Sequence, residues 1–278
     1  MTRVSRSKGA TLFALIVVVL ALVAAVRYVT ARQLRADIMA ELQPVALENC
    51  TLKRFGSAND GGYLMCENLL EPLDAGYSYG VGPNDEWGCE VSRRYQVPVH
   101  QYDCFDPARP TCDGGVFVFH DECLGSRAEE RESRVFDTLE NQIRKNGHEG
   151  RQLIVKIDIE GAEWDALEAA PDELLASIPQ LAMELHGFDD RTMLDVVRKL
   201  NRHFYLVNLH FNNWSCASGA PPFPAWAYQV LWVNKRIAEI DRSVPIPAPM
   251  SPLNAPDTTT RPDCQLPDHA TAAGRPHN

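Results

Sequence analysis

The chain has 278 residues, 45% of them hydrophobic, and a formal net charge of −10. That length suits one α/β domain with a substantial core and short appendages. The acidic balance excludes a nucleic-acid binder that works through a broad basic face.

Residues 1–9 form a short basic segment carrying Arg3, Arg6 and Lys8. The uncharged apolar run 10–26 is near the shortest that crosses a bilayer as a helix. Basic residues ahead of an apolar N-terminal run are the pattern of a signal anchor, and an uncleaved one is expected. The small residues of 21–25 make cleavage, and hence secretion, the alternative. Arg27, Arg32 and Arg35 balance the upstream charge, so orientation is not set.

A stalk over 27–48 is expected to lead to a domain over 49–240. All eight cysteines follow the anchor: Cys50, Cys66, Cys89, Cys104, Cys112, Cys123, Cys216 and Cys264. An even number behind a membrane anchor fits disulfides in an oxidising lumen, Golgi or endoplasmic reticulum. No Cys-x-x-Cys occurs, so no zinc or thioredoxin-like site is expected. Asn49-Cys-Thr and Asn213-Trp-Ser are glycosylation sequons. Residues 241–278 are rich in Pro, Thr and Asp and lack apolar periodicity. They read as a disordered tail, with Cys264 the odd cysteine.

Within the domain, two short extended pieces flank an Asp60-Gly61-Gly62 turn. Strands are predicted at 75–81, 98–105, 116–120, 153–159 and 181–185. Helices are predicted at 85–95, at 133–146, where Val135, Leu139 and Ile143 recur every four residues, and at 164–170 and 192–201. Residues 204–209 and 228–234 read as a closing antiparallel pair. Strands alternating with helices imply a mainly parallel sheet covered on both faces.

The strands end in polar residues. Gly80-Val-Gly82 follows a strand and precedes a helix, where glycines let backbone approach a ligand. Asp106, at the end of the next strand, has the position from which a carboxylate takes ribose hydroxyls in dinucleotide-type folds, with Asp103 the alternative. Asp158 and Glu160 share one side if their strand continues that far. Glu163 falls in the next helix's first turn, where a carboxylate favours the dipole, and reads as structural. Glu184 and His186 end the neighbouring strand, and a histidine there can act as a general base. His210 and Asn213 end a further strand and line the same mouth in this reading; His120 is similarly placed.

These residues resemble a known family. Lys156-Ile-Asp-Ile-Glu-Gly-Ala-Glu-Trp164 resembles the signature of FkbM-like S-adenosylmethionine-dependent methyltransferases, and more closely the methyltransferase-like proteins of the secretory pathway. The likeness takes in Asp60-Gly-Gly-Tyr63, Tyr77-Ser-Tyr-Gly-Val-Gly82, Phe105-Asp-Pro107, Glu184-Leu-His186 and Val230-Leu-Trp-Val-Asn-Lys235, spanning roughly 50–236. It implies a Rossmann-like class I methyltransferase fold, with a mainly parallel seven-stranded sheet, a closing antiparallel hairpin and a transmembrane helix in front.

It also implies S-adenosylmethionine as cofactor, with Gly80 and Gly82 at its methionine part and Asp106 at its ribose. A hydroxyl acceptor, a glycan by resemblance, would then be held by Asp158 and Glu160, with His186 as base. Ser78 departs from the family, since many class I enzymes carry an acid there, and Asn84 stands where a third glycine is common. No metal ligand is assigned. Two rivals remain: a metal-dependent glycosyltransferase using Asp158-x-Glu160, and an inactive binding protein on a retained fold, for which Ser78 is the cue.

Overall fold

The computed structural model describes residues 5–264. Helix α1 (Ser5–Glu41) runs unbroken for 37 residues. It is long and apolar enough to cross a membrane, and its apolar window is wholly exposed. The expected stalk is thus mostly helix. Its last turns belong to the domain, with Ile38, Met39 and Leu42 buried in the main core.

The chain then forms a hairpin, β1 (Leu52–Gly56) and β2 (Gly62–Cys66), followed by β3 (Ala75–Tyr79), α2 (Glu86–Tyr95), β4 (Pro98–Tyr102) and β5 (Val116–His120). A small three-stranded sheet comes next, β6 (Cys123–Leu124), β7 (Glu129–Arg131) and β8 (Arg134–Asp137). The series ends with α3 (Leu139–Lys145), β9 (Leu153–Ile157), α4 (Glu163–Ala169), α5 (Asp172–Ser177), β10 (Gln180–His186), α6 (Arg191–His203), β11 (Phe204–Phe211) and β12 (Ala227–Asn234).

Seven strands make one sheet in the order β11-β12-β10-β9-β3-β4-β5. All are parallel except β12, which pairs antiparallel with both neighbours. The expected α/β class with a mostly parallel sheet and a closing antiparallel pair is therefore present. Period-two alternation divides the side chains between two cores. Val155, Ile157, Met183 and Leu185 pack with α3–α6 and the end of α1. Ile154 and Ala182 face the β1–β2 hairpin and α2, with Phe55, Tyr63 and Trp87.

One element was misread from its spacing. Residues 133–146 are not a single helix. Glu132 and Ser133 both have positive φ and form a two-residue turn between β7 and β8, the geometry that hairpins favour. The helix begins only after Thr138, whose hydroxyl caps it by accepting from Asn141 N at 3.2 Å. Val135, which extends the four-residue spacing, is a strand residue 44% exposed.

The tail corrects a second expectation. Residues 241–264 are not loose but laid across the domain, with Asp257 and Thr258 buried. Gln229 donates to Asp257 at 2.9 Å, Asn59 to the Pro256 carbonyl at 2.8 Å, and Asn213 to the Thr258 carbonyl at 2.8 Å. Residues 265–278 lie outside the described residues. All eight cysteines pair: Cys50–Cys66, Cys89–Cys112, Cys104–Cys123 and Cys216–Cys264, with Cα–Cα distances of 5.1–5.4 Å. Cys264 is thus the clasp of the tail. Both sequon amides are spent internally, Asn49 on the Ile237 carbonyl and buried Asn213 on the tail.

Non-reduced peptide maps should recover these four pairs. Cys264→Ser should release the strap and lower stability by about 2–4 kcal/mol, read as a denaturant midpoint. An unchanged midpoint would show that the tail adds nothing to the fold.

Candidate functional site

The sheet order reverses between β3 and β9, because the chain moves outward from β3 through β4 and β5 and then returns to the other side. Ligands of open parallel sheets sit beyond the strand ends at such a reversal. A cavity of about 910 Å³ lies there, lined by residues that include Gly80, Gly82, Asp103, Phe105, Lys156, Asp158 and Glu160.

The glycine turn closes the end of β3. Gly80 (φ +70°) and Gly82 (φ +53°) both use the left-handed region that L side chains disfavour. Their constraints differ. A Cβ on Gly80 would lie 1.7 Å from the Asp158 carbonyl oxygen, whereas at Gly82 none of the described residues comes within 4 Å. Gly80 is therefore required by the neighbouring strand end as well as by any ligand. Lys156, buried beneath, ties the two ends together by donating to the Tyr79 and Gly80 carbonyls at 3.2 and 2.9 Å.

At the end of β4 the two candidate acids separate. Asp103 lines the cavity and Asp106 does not. Asp103 accepts from Gly82 N through Oδ2 at 3.0 Å, and from Phe105 N and Asp106 N through Oδ1 at 2.9 and 3.0 Å. A carboxylate has about four acceptor sites, so Asp103 organises the loop and keeps about one for a ligand. Asp106 accepts from Ala108 N at 2.8 Å. Of the two acids, only Asp103 is placed to meet a ligand inside the cavity.

Strand β9 stops at Ile157, so alternation does not carry Asp158 and Glu160 to one side as expected. Glu160 instead adopts φ 58°, a costly state for a non-glycine residue. That turn brings its exposed carboxylate back within 3.7 Å of His186 Nε2. Asp158 Oδ2 accepts from the Tyr63 hydroxyl at 2.9 Å and lies 3.6 Å from Lys156 Nζ.

Glu163 does more than favour the α4 dipole. Fully buried, it accepts from Ile159 N and Gly161 N at 2.8 and 2.9 Å and from His186 Nδ1 at 3.0 Å. It therefore holds both the strained acidic turn and the imidazole, leaving His186 Nε2 facing Glu160 and Glu184. Burial pulls the His186 pKa down, but the hydrogen bond and charge of Glu163, with Glu184 and Asp158, prevail and raise it to about 9. Burial, then the charges of Asp158 and Asp257, lifts the Glu184 carboxyl. Glu184 accepts from Asn212 at 2.6 Å.

Asp158, Glu160 and His186 thus converge, each offering a ligand atom within 4.8 Å of the others, a set able to hold a cation. Asp60, Glu184 and Asp257 form a second such group. Asp257 is brought in by the tail; burial and then Asp60 raise its pKa to about 7. Sequence reasoning missed Tyr63, Lys156 and Asp257 as site residues. Tyr63 and Lys156 sat inside quoted motifs, but Asp257 stood in a stretch with no pattern. His210 is buried at the far side of the mouth, 3.7 Å from Asp263. His120 ends the edge strand β5 without lining the cavity, stacked on Tyr102 and 3.0 Å from the His100 ring nitrogen. Ser78 is buried in β3, and its hydroxyl has no hydrogen-bond partner among the described residues.

A scan against protein-family models returns no match, and a search of curated proteins returns none.

Proposed function

We propose that the chain is a membrane-anchored, lumenal S-adenosylmethionine-dependent methyltransferase that modifies a hydroxyl acceptor, with a sugar hydroxyl first in line. The observation that carries this reading is the cavity at the reversal point, with the Gly80–Gly82 turn on one wall and Asp158, Glu160 and His186 at its mouth. The order of β5-β4-β3-β9-β10 also repeats the 3-2-1-4-5 sequence of Rossmann sheets. The disulfides and the apolar N-terminal helix favour an anchored domain in an oxidising lumen.

The cavity is of the size that takes a small-molecule cofactor. Its apolar wall of Val81, Leu124 and Phe136 suits a base, and the glycine turn admits close backbone approach. S-adenosylmethionine would supply an electrophilic methyl group on a sulfonium. The chain itself has to orient the acceptor and exclude water. Asp158 and Glu160 accept hydrogen bonds from the acceptor, and His186 Nε2 takes the hydroxyl proton as the new bond forms. Glu163 is the positioning residue, fixing which nitrogen faces the mouth.

Calorimetry of the detergent-solubilised full chain with S-adenosylhomocysteine tests this reading. Binding is expected, and Asp103→Asn should weaken it roughly tenfold, the value of about one charged hydrogen bond. No heat with the wild-type chain would remove the cofactor from the proposal.

One observation favours a second reading. Glu163 on Nδ1 leaves His186 Nε2 free beside two carboxylates, an arrangement that orients histidine metal ligands. A divalent cation there suits a glycosyltransferase. Manganese binding that depends on Asp158, with heat from a nucleotide sugar and none from S-adenosylhomocysteine, would select it.

A further inference from the structure

The path of α1 relates the mouth of the sheet to the membrane. β9, β10 and β11 are parallel, so Asp158, His186 and Phe211 mark the same end of the sheet. Arg35 pairs with Asp189 at 2.7 Å, three residues past the mouth end of β10, and donates to the Pro221 carbonyl at 3.0 Å. Farther along α1, Glu41 pairs with Arg198 at 2.8 Å, well along α6. Val45 N then donates to the Leu206 carbonyl at 2.8 Å, near the opposite end of β11. Helix α1 therefore enters the domain at the mouth and descends to the far end. The part of α1 before Arg35 projects outward on the mouth side.

The spacing is short. The uncharged run ends at Val26, so at ~1.5 Å per residue about 14 Å of helix separates it from Arg35. Tyr28 and Val29, both over 60% exposed, extend the apolar surface into that interval. A headgroup layer is roughly 5–7 Å deep, which brings the mouth to the surface of any bilayer that α1 crosses.

A second observation is independent of the helix. The exposed aromatic residues of the domain gather at this same end. Phe105 follows β4 and is 70% exposed; Trp214 follows β11 and is 50% exposed; Trp226 precedes antiparallel β12 and is 39% exposed. Arg134 lies over the Phe105 ring at 4.4 Å and Arg261 over the Trp214 ring at 4.8 Å. Exposed tryptophan with arginine is the composition of membrane–water interfaces, where a ring sits at headgroup depth and a guanidinium meets phosphate.

We propose that the mouth of the sheet faces the bilayer that holds α1, with the rim formed by Phe105, Trp214 and Trp226 bedded in its headgroup layer. This rests on the anchor reading and not on the reaction. Any acceptor then reaches the cleft along the membrane surface rather than from the open lumen.

The chain has five tryptophans, none of them within α1. Trp87, Trp164 and Trp232 are buried in the domain. Tryptophan quenching by lipid brominated at the headgroup end of the acyl chain therefore reports on the domain alone. The full chain is reconstituted in phosphatidylcholine nanodiscs with and without brominated lipid. Co-elution with discs reports the anchor, and failure to co-elute would overturn that reading and the proposal with it.

Given co-elution, we expect quenching of at least a third of the emission, lost in the Trp214→Phe, Trp226→Phe double variant. Adding Phe105→Trp to that variant should restore it, which separates loss of contact from loss of fold. An unquenched wild-type chain, or equal quenching in the double variant, would overturn the orientation while leaving the anchor standing.

Discussion

Gly80→Ala should abolish ligand binding at the cleft and lower stability by about 4 kcal/mol. Two costs combine. A side chain at φ +70° costs roughly 1–2 kcal/mol. The larger cost is steric, because the new methyl would lie 1.7 Å from the Asp158 carbonyl oxygen, and backbone cannot rotate away as a flexible side chain could. Asp158 is also held by Tyr63 and Lys156, so displacement spreads into the acidic turn. Gly82→Ala is the control. Its φ is also positive, but none of the described residues comes within 4 Å, so about 1–2 kcal/mol is expected. Urea unfolding of the two variants, with S-adenosylhomocysteine calorimetry on each, checks this. Equal stability for the two would show that the β3 and β9 ends are not locked together.

His186→Gln should reduce turnover by roughly 10²–10⁴-fold while leaving cofactor affinity intact. The pH dependence separates a base from a structural imidazole. With its pKa held near 9, His186 is about one part in a hundred neutral at pH 7. A base must be neutral, so wild-type turnover should rise about tenfold per unit from pH 7 and level near 9.

Stability should move the other way. A folded pKa raised above the unfolded value means that the imidazolium stabilises the fold fully below about pH 6.5, and that this contribution is lost as pH climbs through 9. The melting temperature should therefore fall over that window, and fall less in His186→Gln. Flat wild-type turnover across it, with activity retained in the variant, would eliminate base catalysis by His186.

Much of the frame was legible because it rests on local pattern. The β9 run of five buried residues, the glycine turn after β3 and the amphipathic α6 each announce themselves within a few residues. The reading failed where local patterns compete. A four-residue spacing over 135–143 matched a helix, but two left-handed residues and a threonine cap divided it into strand and helix. The tail failed for the opposite reason. A polar, proline-rich stretch has no periodicity, and what orders it lies far away in sequence: a disulfide to Cys216 and the side chains of Asn59, Asn213 and Gln229.

The α/β alternation, the apolar N-terminal helix and the polar strand ends follow from residue order, because burial and periodicity act over neighbouring residues. That Asp103 rather than Asp106 lines the cavity, and that Glu163 holds His186, follows from the packed fold alone. So does the left-handed turn that brings Glu160 to the histidine, and the arrival of Asp257 from the tail. Each of these depends on where a chain end stops and what lies across from it. Such contacts join residues from separate elements, and no local period records them.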